Sequence, residues 1–64
     1  MNANTNPLAA KIKTFKTSEI EEMIRLIGKA ADGDTLTVRI YLFNEYEKRV
    51  GGEATDKLLD ELSL

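Results

Sequence analysis

Sixty-four residues bound the chain to one small domain, with little interior to bury. It has no Cys and no His, which excludes disulfides, thiolate metal sites and the commonest general base and metal ligand. Net charge is −2 but unevenly spread: Lys11, Lys13 and Lys16 make a basic arm without an acid, whereas residues 17–34 and 51–64 are acidic. A fold this small, without staples, needs a tightly packed helical core or a second copy of itself, and oligomerisation is the favoured expectation.

The opening residues, "MNANT", are polar and small. Residues 1–6 are therefore expected to be flexible, and the basic arm that follows is read as a solvated tail that can also meet phosphate or an acidic partner. No apolar leader is visible in "MNANTNPLAAKIK". The longest apolar stretch, near "IYLF", is far short of a membrane span. The chain starts with Met and shows no tag, so the expectation is a complete, soluble, cytoplasmic product.

In "NPLAAKIKTF", Asn6 suits an N-cap and Pro7 the first helical position. Leu8, Ile12 and Phe15 share one helical face. The clearest helix is "SEIEEMIRLIGKAADG". Ser18 and Glu21 have capping-box spacing, and Ile20, Met23, Ile24, Ile27 and Ala31 form its apolar stripe. Glu21 and Arg25 are an i,i+4 pair. Gly28 weakens the helix interior, and Gly33 supplies its left-handed stop. At the other end, "EATDKLLDELSL" places Ala54, Leu58 and Leu62 on one face, with a start at Glu53 or Thr55.

The segment between them, residues 35–50, fits two templates. As a strand, Leu36, Val38 and Ile40 alternate with Thr35, Thr37 and Arg39. As a helix, Asp34 caps the start, Lys48 and Arg49 suit the last turn, and Gly51-Gly52 closes the end. No Gly or Pro interrupts residues 35–50, so the helix is preferred. At about 100° per residue its apolar arc is wide. It runs from Val38 through Leu42, Tyr46, Val50 and Phe43 to Leu36 and Ile40. Such an arc suits a central helix covered on two sides, by its own chain or by a second subunit.

Chemical motifs are sparse. "GKAADGD" lacks the order of a phosphate loop, and "DGD" lacks the ligand spacing of an EF-hand. Asp56 and Asp60 share a helical face but have no companion ligands, so a solvated acidic face is the simpler reading. Ser18 and Ser63 have no His to activate them. The expectation is no enzyme, no cofactor and no metal site. Arg39 and Glu47 fall inside the apolar arc, either as snorkelling side chains or as interface anchors, and Tyr41 is an aromatic on the polar side. These three are the candidate partner-binding residues.

"TLTVRI", followed by "YLFNEYEKRV", "GGEA" and "TDKLLDEL", resembles the ribbon-helix-helix family of dimeric repressors and antitoxins. The resemblance implies that Thr35, Thr37 and Arg39 read bases, Thr55 meets phosphate, and Leu36, Val38 and Ile40 pack inward. Three features depart from that family: a helix precedes the ribbon, the first helix after it is short and weakly capped, and the chain is acidic overall.

The sequence therefore predicts an all-α bundle of three to four short helices over residues 1–64, with α+β and one strand at 35–43 as the alternative. Its expected core is Ile24, Ile27, Ile40, Phe43, Leu58 and Leu62. Its expected role is non-enzymatic binding of another protein, as adaptor, regulator or inhibitor, with a homodimer in view and nucleic acid as the alternative partner.

Overall fold

The computed structural model describes residues 7–30 and 32–64. Four α-helices follow one another: α1 (Pro7–Lys13), α2 (Thr17–Ile27), α3 (Gly33–Val50) and α4 (Gly52–Glu61), with one 3-10 turn at Gly28–Ala30. There is no strand among the described residues. The strand alternative at 35–43 is thereby corrected: these residues lie inside the 18-residue α3. Its length, the absence of a breaker and the glycine after Val50 outweigh the strand propensity of "TLTVRI".

The helix ends show local chemistry at work. Pro7 opens α1, as its missing N–H allows, while the proposed Asn6 cap lies outside the described residues. α2 begins at Thr17 with Lys16 in the cap position, two residues before the Ser18 cap that the sequence suggests. The Lys16 N–H donates to Glu19 Oε1 at 2.7 Å, so Glu19, not Glu21, satisfies the first turn. Glu21 is left to accept from Arg25 Nε at 3.1 Å. Gly28 does not sit inside a helix but ends one: its φ is +50°, and its N–H reaches the Ile24 carbonyl. Ala31, the last member of the predicted stripe, lies outside the described residues. Asp32, not Asp34, precedes α3, and its carbonyl accepts the Thr35 N–H at 3.0 Å. α3 ends where expected, with the Gly51 N–H on the Glu47 carbonyl at 2.8 Å.

α3 is the hub, packing against α1, α2 and α4 in turn. The core is Ile12, Ile20, Ile24, Leu42, Tyr46 and Leu58, with Leu8, Phe15, Met23, Ile27, Val38, Tyr41, Phe43 and Leu62 packed around it. Each fully buried aliphatic side chain there contributes roughly 1.5–3 kcal/mol. The expected core needs one main correction. Ile40 is 52% exposed, and Leu42 with Tyr46 faces inward instead. The α3 arc has two sides: the other three helices cover the Val38–Leu42–Tyr46 side and part of Phe43, and leave Leu36, Ile40 and Val50 exposed.

Two arginines tie the helices together through carbonyls that the helix ends leave open. Arg49 donates to the Phe15 carbonyl at 2.6 Å and the Lys13 carbonyl at 3.0 Å, and pairs with Glu45 at 2.9 Å. Arg39 donates to the Gly28 carbonyl at 2.6 Å. Cations at α1 and α2 C-termini also suit the helix dipole.

Candidate interaction surface

The uncovered side of α3 carries Leu36, Ile40, Phe43, Glu47 and Val50, spaced alternately four and three residues apart. This is the spacing at which side chains form one straight stripe along a helix. Leu36, Ile40 and Val50 are exposed and Phe43 is half-buried.

α4 runs alongside, and the two helices frame an open groove of about 490 Å³. Arg39, Ile40, Phe43 and Glu47 line its α3 wall. Asp56, Leu59 and Leu64 line its far wall. Leu64 reaches that wall through a helix-ending turn. Ser63 takes φ +58°, the Ser63 N–H bonds to the Asp60 carbonyl at 3.1 Å, and the Leu64 N–H bonds to the Leu59 carbonyl at 2.9 Å. That pair of bonds is a Schellman ending, which folds Leu64 back beside Leu59.

Charge is divided along the groove. Arg39 stands at one end, its stem against the groove and its guanidinium committed in part to the Gly28 carbonyl. Glu47 and Asp56 stand at the other, and neither has an ion-pair partner among the described residues. Between them Ile40, Phe43, Leu59 and Leu64 supply apolar lining, with Asn44 and Thr55 as polar members.

Two of the three predicted residues, Arg39 and Glu47, thus share one surface. Tyr41 does not. It is half-buried on the opposite flank of α3, in a smaller groove against α1 with Ala9, Ile12, Lys13 and Lys48. The sequence places Ile40 in the core, where the structure exposes it, and places Phe43 there too, where it packs against the core while also lining the groove. It reads Asp56 as a solvated face and gives no sign that Leu59 and Leu64 join this surface. The four-three spacing through Glu47 was the available signal.

Thr55 is buried, with its hydroxyl donating to the Gly51 carbonyl at 2.8 Å, so it does not present itself to a phosphate. Thr35 and Thr37 are exposed on the first turns of a helix rather than on a ribbon. The structural basis of the ribbon-helix-helix resemblance is therefore missing from the described residues.

The remaining titratable groups are surface links. Arg25 joins Glu21 of α2 to Glu61 of α4 at 3.0 and 2.8 Å, and both hydrogen-bonded carboxylates hold its pKa up. The Tyr46 hydroxyl donates to Glu21 Oε1 at 3.3 Å. Burial, with the Glu21 charge beside it, raises the Tyr46 pKa above 10.0. Among the described residues no three metal-ligating side chains gather, and no helix is long and apolar enough to cross a membrane. Comparison with protein-family models, with curated proteins and with solved structures returned no match.

Proposed function

We propose that this chain is a non-enzymatic binding module of the cytoplasm, whose α3–α4 face takes up the apolar side of another polypeptide. One observation carries the reading. α3 has an apolar arc wide enough for two covers, and the fold supplies one, leaving Ile40 half in water. A largely apolar groove with charges at its ends is a form that protein-binding surfaces take. Arg at such a rim is a frequent anchor. An adaptor, regulator or inhibitor of a larger complex would need no more than this face.

The test is a photo-crosslinking residue placed at Ile40 in the full chain, in cells that make it. The control position is Leu26, which is 80% exposed on α2 and lies outside the groove. The reading expects a covalent protein adduct from position 40 and none from position 26. No adduct from position 40, or equal adducts from both, refutes it.

A further inference from the structure

Two pairs on α3 are placed symmetrically about Phe43: Arg39 and Glu47 stand four residues on either side, and Leu36 and Val50 stand seven on either side. Ile40 lies outside this symmetry, since its mate would be the buried Tyr46. An antiparallel copy of α3 crossing at Phe43 therefore brings these two pairs into register. Leu36 faces the second copy's Val50, the two Phe43 rings meet at the centre, and Arg39 faces the second copy's Glu47. By the same two-fold operation, the cation end of each groove lies against the acidic end of the other.

From this we infer that the occupant of the α3–α4 groove is a second copy of the chain, paired antiparallel through α3 and joined by two exchanged Arg39–Glu47 contacts. The inference rests on the reading of this face as a polypeptide-binding surface and names its partner. Three observations support it. Ile40 is 52% exposed and Leu36 and Val50 are each 38% exposed, all on the stripe. Glu47 and Asp56 have no ion-pair partner among the described residues. Arg39 lines the groove, uses one amino group on the Gly28 carbonyl and has no ion-pair partner among the described residues, so its guanidinium fork keeps donors to spare. A two-fold contact of this kind is self-complementary, since each unlike pair occurs twice.

The size of the face limits how strong the pairing can be. Leu36 to Val50 covers about 21 Å at 1.5 Å per residue. With the α4 wall included, the pair falls at the small end of specific interfaces, about 1,000 Å² in total. It is expected to dissociate in the micromolar range. The other possible occupant, a helix of a different protein with a cation placed for Glu47, is an outcome of the same test.

The test is analytical ultracentrifugation of the full chain across about 1 μM to 1 mM, with circular dichroism to check helicity. The wild type is expected to reach the mass of two 7.2 kDa chains. Arg39→Glu or Glu47→Arg alone sets like charges opposite each other twice, and each is expected to weaken pairing about a hundredfold or more. An equimolar mixture of the two single variants restores both unlike pairs and is expected to recover the two-chain mass. Ile40→Glu, at an exposed position, is expected to leave a helical single chain. If Arg39→Glu unfolds for want of its Gly28 contact, Glu47→Arg and Ile40→Glu decide. A one-chain wild type throughout the range overturns self-pairing, as does a dimer indifferent to Glu47→Arg and Ile40→Glu. A mixture of folded variants that stays monomeric overturns the register. A one-chain wild type that still gives an adduct to a different protein from position 40 leaves the binding-module reading standing and removes only the second copy.

Discussion

Arg49 is the polar side chain that holds the α1–α2 turn to α3, and its removal should cost the fold several kcal/mol. Its guanidinium donates to the carbonyls of Phe15 at 2.6 Å and Lys13 at 3.0 Å, touches the Thr17 hydroxyl at 3.3 Å, and pairs with Glu45. It thus clips the α1–α2 turn to the last turns of α3. Arg49→Met keeps the stem and removes the fork. A hydrogen bond to a charged donor is worth about 1.5–3 kcal/mol. The side chain is 21% exposed, so the low end applies to each of the two carbonyls. The loss is then about 3 kcal/mol, with a further contribution from the Glu45 carboxylate, 14% exposed and left without its cation. A chain of this length has about 3–10 kcal/mol in total, so the variant should be poorly folded or close to it. Arg49→Lys keeps the charge but cannot span both carbonyls, and should lose about half as much. Glu45→Gln leaves the carbonyl bonds intact and should lose under about 1 kcal/mol. The assay is urea unfolding at one fixed protein concentration, since any pairing would make stability concentration-dependent. With a slope of about 1 kcal/mol/M, the Arg49→Met midpoint should fall by about 3 M. A free-energy change within about 0.5 kcal/mol, the range of an ordinary surface substitution, would refute the clip.

Neighbouring glycines should respond oppositely. Gly51 holds φ +90° and ψ 167°, a region open almost only to glycine, so Gly51→Ala should cost about 1–3 kcal/mol in urea unfolding. Gly52 opens α4, and a Cβ there would meet Glu47 Oε2 at an ordinary 3.4 Å, so Gly52→Ala should be neutral or stabilising by up to about 1 kcal/mol. At the far end of α4, Ser63 at φ +58° bears a strain that glycine relieves, so Ser63→Gly should raise the thermal midpoint, by about 1 kcal/mol in free energy, without disturbing Leu64. The Tyr46 hydroxyl holds its proton more tightly folded than unfolded, because burial and Glu21 oppose the phenolate. Its contribution is fully present below about pH 10 and is lost as pH rises through the higher folded value. Urea midpoints measured from pH 9 to about 11 should therefore fall less steeply in Tyr46→Phe than in the wild type.

The helices were legible in the sequence because their signals are local. Pro7 at a start, Gly51 at an end and the Ile20–Met23–Ile24–Ile27 spacing each specify geometry within a turn or two. Residues 35–50 were harder, since β-branched residues and helix spacing coincide in "TLTVRI". The unbroken run to Gly51 decided it. Starts and stops slipped by one or two residues where two candidates competed, as Glu19 did with Glu21 and Asp32 with Asp34. Which side of α3 faces inward was not legible. Its arc is apolar over most of the circumference, so only the tertiary positions of α1, α2 and α4 select Leu42 and Tyr46 over Ile40. The arginine links were invisible for the same reason. Arg39 and Arg49 bond to carbonyls 11 and 34 residues away, on helix ends whose location depends on the fold. The shared groove of Arg39 and Glu47 was partly legible, as two charges inside an apolar arc. Tyr41, on the polar flank of the wheel, lies against α1, because such a flank can still sit under a neighbouring helix.

The most direct test of the account is methyl NMR of the full chain through a dilution series. The account predicts that Leu36, Ile40, Val50, Leu59 and Leu64 methyls shift together on dilution, while those of Ile12, Ile20 and Ile24 in the core stay still. Groove methyls that remain fixed at every concentration, or core methyls that move with them, would contradict a face on α3 and α4 that a second copy covers.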